Sequence, residues 1–86
     1  MPSYKVLWKR SAVKELKQLP KEVIKKISQT VTDLSGDPLP VGVRKLTGSE
    51  HTFRIRLGDY RIVYSLLSGE LTIEIIRVGH RKDIYK

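Results

Sequence analysis

Apolar and polar side chains alternate along two adjacent segments in the middle of the chain, on either side of Gly58-Asp59. Alternation with a period of two is typical of a β-strand with one buried face, and a Gly-Asp pair between two such segments is typical of a two-residue hairpin turn. The turn fixes the register, so the facing positions can be counted outward from it. The predicted pairs are Leu57 with Tyr60, Arg56 with Arg61, Ile55 with Ile62 and Arg54 with Val63.

The two faces of this predicted hairpin differ in chemistry. One face is apolar or aromatic and consists of Phe53, Ile55, Leu57, Tyr60, Ile62 and Tyr64. The other face carries Arg54, Arg56 and Arg61, and the last two lie directly across the ladder with Cα atoms roughly 5 Å apart. At an effective dielectric of about 20 such a pair repels by on the order of 3 kcal/mol, which favours a bound anion. Arginines that point into water on an open sheet face are the alternative, and the spacing does not decide between them.

The N-terminal half of the chain is predicted to contain one strand followed by two helices, because apolar residues recur at helical spacing in two of its segments. Tyr4–Trp8 is rich in β-forming residues and is predicted to be a first strand. Ser11 is expected to cap a short helix, and Pro20 is expected in the first turn of a second, longer helix that ends at 35–38. The apolar stripes are Val13, Leu16 and Leu19 in the first helix and Val23, Ile24, Ile27, Val31 and Leu34 in the second.

The segments around the hairpin contain signals for a loop and for one more strand. The Pro and Gly content of Asp37–Glu50 predicts a loop anchored on the core by Val43 and Leu46. Ser68-Gly69 is predicted to close a second tight turn, followed by an alternating strand up to Gly79. The same counting pairs Tyr64 with Ile73 and Arg61 with Ile76.

These elements predict an α+β fold. It is a small, mostly antiparallel four-stranded sheet with two N-terminal helices packed on one face, in the order β-α-α-β-β-β, and a short C-terminal tail. The helices cover the apolar face of the sheet, and the arginine face is left open. The tail leaves the last strand near Arg61 and adds basic and aromatic side chains, which are His80, Arg81, Lys82 and Tyr85.

Size and charge narrow the function classes. The 86 residues contain no Pro/Gly/Ser-rich linker, so residues 1–86 are expected to form one domain. Lys and Arg number 17 against 9 Asp and Glu, for a net charge of +8, and the pI is about 10.0. This excess indicates a polyanionic partner, either nucleic acid, a membrane surface or an acidic protein. The longest apolar runs are far below the roughly 18 residues of a membrane span, and we expect a cytoplasmic protein with no membrane association.

The residue types restrict the chemistry of the predicted pocket. The chain has no cysteine and two histidines, and it has no acidic cluster, so we expect neither a metal nor a cofactor. RNA offers a reaction that suits cations, because its own 2′-hydroxyl can attack the adjacent phosphorus while arginines stabilise the phosphorane. His80 is the tail residue suited to proton transfer near neutral pH. Tyr85 is expected either to stack on an unpaired base or to pin the tail to the sheet.

The segments RIRLGDYRIVY and VGHRKDIY, with the strand and two helices before them, make the chain similar to the RelE/ParE superfamily of bacterial and archaeal toxins, in its RelE branch. The resemblance covers almost the whole chain. It implies a ribosome-dependent endoribonuclease that cuts messenger RNA in the decoding site without a metal and is neutralised by a RelB-like antitoxin. The partners it implies are the antitoxin, the ribosome and mRNA, and the toxin alone is expected to be monomeric.

The resemblance also implies roles for single residues. Arg61 and Arg81 match the phosphate-contacting arginines of the family, and Tyr85 matches the tail tyrosine that orients and stacks the substrate. Arg54 and Arg56 stand where well-studied members have lysines, one of which is proposed as the base. An arginine there stabilises charge but is harder to deprotonate, so His80 gains weight as the base.

Two other functions fit parts of the pattern. A ParE-like inhibitor of DNA gyrase shares the fold class and acts by binding, but it does not need the arginine and tyrosine pocket. A non-catalytic basic module that binds RNA or the ribosome accounts for the charge alone. The presence of Arg61, Arg81 and Tyr85 together argues against the gyrase inhibitor, and composition alone does not separate the RNA-cleaving toxin from the basic module.

Overall fold

The computed structural model describes residues 3–84, and the elements follow the predicted order with additions. The bounds are β1 Lys5–Trp8, α1 Arg10–Lys17, α2 Lys21–Gly36, β2 Arg44–Lys45, β3 Thr52–Leu57, β4 Tyr60–Leu67, β5 Thr72–His80 and α3 Arg81–Ile84, with a 3-10 turn at Ser68–Glu70. The strands form one sheet in the order β1-β5-β4-β3-β2. β1 runs parallel to β5 and the other neighbours are antiparallel, so the α+β class is confirmed.

The predicted strand number of four is wrong, because a fifth strand forms inside the segment expected to be a loop. Arg44 and Lys45 pair with Arg54 and Phe53 of β3. The connection between the two strands is closed by a hydrogen bond from the Leu46 N–H to the Thr52 carbonyl, at 2.9 Å. Pro and Gly mark the irregular backbone before β2, but two residues can still join the edge of a sheet.

Helix α1 begins two positions before the expected place, and α2 begins one position after it. Ser11 is not the cap of α1, since Lys9 occupies the N-cap position and accepts a hydrogen bond from the Val13 N–H. Pro20 is the N-cap of α2, and its carbonyl accepts from the N–H groups of Val23 and Ile24. Proline suits this position because the chain there is extended and no N–H is needed.

The core lies between the helices and one face of the sheet. Its buried members come from α1, α2 and the three central strands: Ala12, Ile27, Val31, Leu34, Ile55, Ile62, Tyr64, Ile73, Ile75 and Val78. Tyr64 is fully buried, and its hydroxyl donates to the Pro38 carbonyl at 2.6 Å. Burial, and secondarily the charge of Asp37, raises the pKa of Tyr64 from 10.0 to about 12. The loop after α2 is thereby tied to β4.

The predicted register between β4 and β5 is wrong. Tyr64 faces Ile75 and Arg61 faces Gly79. The connection is longer than two residues, because a 3-10 turn is followed by Leu71 in the left-handed region at φ 50°. The register then shifts between Val63 and Tyr64, where β5 contains one extra residue, which is a β-bulge. The shift places Val78 in the core.

Candidate functional site

The β3–β4 hairpin has the register that the sequence predicts. Arg56 faces Arg61, Arg54 faces Val63, and Gly58 takes the positive φ of 62° that the tight turn requires. A side chain that faces its partner across a ladder lies on the same side of the sheet. The three arginines of the hairpin therefore share the face opposite the helices.

These arginines line a groove on the open face of the sheet. Its volume is about 320 Å³, and its lining residues are Gly42, Arg44, Arg54, Arg56 and Arg61. We call it the arginine groove. No carboxylate is among its lining residues within the described part of the chain. Planar guanidinium groups bind phosphate oxygens two at a time, so this groove is suited to the backbone of a nucleic acid.

Arg44 is the site residue that the sequence interpretation missed. It lies on β2 directly opposite Arg54 and is exposed. The basic pair Arg44-Lys45 between Gly42 and Gly48 is visible in the sequence. A single sequence does not show that this pair forms a strand beside β3. The structure thus gives the groove a fourth guanidinium and a second pair of facing arginines.

Arg61 is the deepest of the four arginines, with 6% of its surface exposed. Its Nη1 donates to the carbonyls of Gly58 and Tyr60, each at 2.9 Å. Within the described residues its hydrogen bonds are made by Nη1 alone, so Nε and Nη2 are the donors left for a ligand. The turn therefore fixes the direction of this guanidinium before any ligand binds.

Arg81 is attached to the same turn. Its backbone N–H donates to the Asp59 carbonyl at 2.8 Å, where α3 begins. The carbonyls of Gly58 and Tyr60 thus accept hydrogen bonds from the Arg61 side chain, and the Asp59 carbonyl between them accepts one from the Arg81 backbone. The Arg81 side chain is exposed and is not among the residues that line the arginine groove.

His80 lies on the other side of the sheet from Arg61. It faces Tyr60, and the two rings meet edge to face with their centroids 5.5 Å apart. Its Nδ1 accepts a hydrogen bond from the Lys82 N–H at 3.2 Å, in the first turn of α3. The structure does not bring His80 together with the arginine groove, and its role in proton transfer stays a prediction. Tyr85 lies outside the described residues.

Two further features of the described residues concern a lipid bilayer and a metal ion as candidate partners. No helix in the described part of the chain is both long and apolar enough to span a lipid bilayer. Within residues 3–84, no group of three or more His, Cys, Asp or Glu side chains is arranged to hold a metal ion.

Comparison with known proteins identifies the family. Residues 6–85 match the family described as ParE toxin of type II toxin-antitoxin system, parDE. Toxin RelG of Mycobacterium tuberculosis is 37% identical, with 96% of this chain and 97% of RelG covered. The fold matches the archaeal RelE–RelB complex from Pyrococcus horikoshii with a TM-score of 0.82, at 32% identity over 92% of this chain and 96% of that chain. The RelBE2 toxin–antitoxin complex of M. tuberculosis gives a TM-score of 0.81, at 33% identity over 94% of both chains. The chain belongs to the RelE/ParE toxin superfamily, in its RelE-like branch.

Proposed function

We propose that this protein is the toxin of a type II toxin–antitoxin system and acts as a metal-independent, ribosome-dependent endoribonuclease on mRNA. The observation that carries the proposal is the shared anchoring of Arg61 and Arg81 on the Gly58–Tyr60 turn, beside a groove lined by four arginines. A gyrase inhibitor that acts by binding has no evident use for a prepared guanidinium of this kind.

The reaction uses a nucleophile that the substrate itself supplies. The 2′-hydroxyl oxygen loses its proton and attacks the adjacent phosphorus, and the bond to the 5′-oxygen of the next nucleotide breaks. That oxygen takes up a proton, so a 2′,3′-cyclic phosphate and a free 5′-hydroxyl result. Arg61 stabilises the negative charge that develops on the phosphorane oxygens, and Arg81 acts on the phosphate and the leaving oxygen. Arginine is a poor proton acceptor, so alignment and charge stabilisation are expected to supply most of the acceleration.

The other groove arginines hold the strand. Arg54 and Arg56 lie on the same side as Arg61, and Arg44 extends the groove along β2. Phosphates of one RNA strand are close enough to one another for several guanidinium groups to bind the same strand. Tyr85 is expected to stack on a base beside the scissile phosphate.

The partner that neutralises this activity is a RelB-like antitoxin. The solved relatives are a RelE–RelB complex from P. horikoshii and the RelBE2 toxin–antitoxin complex from M. tuberculosis. The antitoxin of this chain should be acidic or amphipathic, and it should cover the arginine groove or displace the C-terminal tail. Before the antitoxin binds, the toxin is expected to be a monomer in the cytoplasm.

Primer extension on translated mRNA tests the proposal. Brief induction of the wild-type protein should produce new 5′ ends within codons, and Arg81→Ala should abolish them. Lys25→Ala is the matched control, because it removes one exposed positive charge from α2 and should cleave as the wild type does. Intact message with the wild-type protein would contradict the proposal. Inhibition of DNA supercoiling by purified gyrase, without RNA cleavage, would support the ParE-like alternative.

A further inference from the structure

Among residues 3–84, no strand pairs with the C-terminal half of β5 on the side where β1 ends. β1 pairs with β5 only as far as Trp8 and Ile75, and the Lys9 N–H then donates to the Ile75 carbonyl at 3.0 Å. The chain leaves the sheet at this point and forms α1. Backbone groups of β5 beyond Ile75 on this side therefore need a partner from another element or from water.

Glu15 of α1 is that partner. Its Oε1 accepts a hydrogen bond from the Val78 N–H at 3.2 Å. Its Oε2 accepts from Nη2 of Arg77 at 3.1 Å and from Nε at 3.4 Å. The Glu15 side chain is 30% exposed, so water only partly screens these contacts. One carboxylate thus holds two consecutive residues of β5 just after its bulge.

The residues that follow Arg77 and Val78 in the chain contact the candidate site. Gly79 faces Arg61, and the Arg81 N–H bonds to the Asp59 carbonyl. A cavity of about 280 Å³ lies between α1, β5 and α3, lined by Glu15, Gln18, Leu19, Val78, Gly79 and Asp83. Glu15 is therefore the side chain through which α1 is hydrogen-bonded to this end of β5.

We propose that Glu15 is a positioning residue of the cleavage site: it fixes the end of β5 against α1 and so sets where Arg81 stands relative to Arg61. The proposal rests on the function proposed above. Loss of the carboxylate leaves the buried Val78 N–H without its acceptor and releases Arg77. The end of β5 can then shift, and a small displacement of a catalytic group is enough to slow a reaction strongly.

Steady-state cleavage of ribosome-bound mRNA by purified variants tests this role. Glu15→Ala should lower kcat about tenfold and leave KM for the programmed ribosome within about twofold of wild type, because the arginine groove itself is unchanged. Glu15→Gln keeps an acceptor for Val78 and should recover most of the kcat. Glu22→Ala removes an exposed carboxylate from α2 and should match the wild type. A wild-type kcat in Glu15→Ala would overturn the proposal.

Amide hydrogen exchange separates positioning from a general loss of stability. The Val78 and Arg81 amides should exchange at least about tenfold faster in Glu15→Ala, while the amide of Ile62 in the core keeps its protection. Equal acceleration at all three amides would assign Glu15 to overall stability and overturn the proposal. If Glu15→Ala does not fold, Glu15→Gln carries the test: wild-type exchange at Arg81 together with a tenfold lower kcat would contradict positioning.

The two proposals fail in different ways. If the wild-type protein cleaves no RNA, the proposed function is wrong, and the exchange of the Arg81 amide still reports whether Glu15 holds it. If the wild-type protein cleaves RNA while Glu15→Ala has the same kcat and the same exchange at Arg81, the function stands and the positioning role is wrong.

Discussion

Two positively charged surfaces lie on opposite sides of this protein, and they are built differently. The arginine groove comes from paired strands, in which the register sets each guanidinium opposite another, and Arg61 is buried and hydrogen-bonded to the turn. The helices carry exposed lysines, which are Lys14, Lys17, Lys21, Lys25 and Lys26. Ammonium groups on flexible stems attract a polyanion, but they do not hold one phosphate in one geometry. Charge alone would attract a polyanion to either surface, and preorganisation distinguishes the arginine groove.

The largest difference between the two surfaces should appear in the rate of cleavage. Arg61→Ala is expected to lower kcat about 100-fold to 1,000-fold, since in the proposed mechanism the Arg61 donors stabilise the phosphorane. Arg61→Lys should recover little of this loss, because an ammonium group cannot both contact the turn and present a fork to the phosphate. Single-turnover cleavage at saturating ribosomes gives the value. Lys25→Ala with a comparable loss would mean that the two surfaces are equivalent.

Binding should respond to Arg44, the arginine that β2 adds to the groove. Arg44→Ala is expected to raise KM for the programmed ribosome about tenfold, which corresponds to one charge-assisted hydrogen bond to a phosphate. kcat should change little, because Arg44 lies beyond the reacting phosphate in the proposed arrangement. Kinetics over a range of ribosome concentrations separate the two constants, and an unchanged KM would remove Arg44 from the substrate-binding surface.

The salt dependence of RNA affinity measures how many phosphates the arginine groove and the lysines of the helices each contact. A plot of log affinity against log salt concentration has a slope of about −0.7 for each phosphate contacted on a single strand. Arg44→Ala should make the slope shallower by about 0.7, and Lys25→Ala should leave it unchanged. Fluorescence titration of a short labelled RNA at several salt concentrations measures both. Equal changes for the two variants would show that RNA does not prefer the groove.

The smallest effect concerns the loop that leads to β2. Tyr64→Phe removes the hydrogen bond to the Pro38 carbonyl and should lower the free energy of unfolding by about 1 kcal/mol. The neutral hydroxyl is favoured in the folded state, since its pKa rises from 10.0 to about 12. Its contribution is therefore complete below pH 10 and is lost as the pH rises toward 12. Denaturant unfolding should show the gap between wild type and variant closing across that window.

The sequence predicted one part of the sheet well and another part poorly, for a physical reason. The two-residue Gly58-Asp59 turn determines every pair in the hairpin, so Arg56 opposite Arg61 followed from counting. The register of β5 depends on a longer connection and on a bulge beside α1, where Glu15 contacts Arg77 62 positions away in the chain. Such long-range contacts leave no local signal in one sequence.

The bulge also explains the placement of His80. The predicted register puts Arg61 opposite Ile76, and alternation then places His80 on the arginine face. The observed register puts Arg61 opposite Gly79, which turns His80 toward Tyr60 on the other face. An odd shift in register reverses the side of every following side chain. The placement of the hairpin arginines could therefore be predicted from the sequence, but not the face of the sheet on which the residues after β4 lie.

The short loop at Gly58-Asp59 has a consequence for protein engineering. Tips of hairpins are ordinarily chosen for inserting epitope tags or for dividing a protein into two fragments, because the fold tolerates extra residues there. Here the carbonyls of that tip orient Arg61 and hold the start of α3. A tag inserted between Gly58 and Asp59 should therefore release the guanidinium of Arg61 and the start of α3, so this hairpin tip is a poor insertion point for any version of the protein that must keep its site.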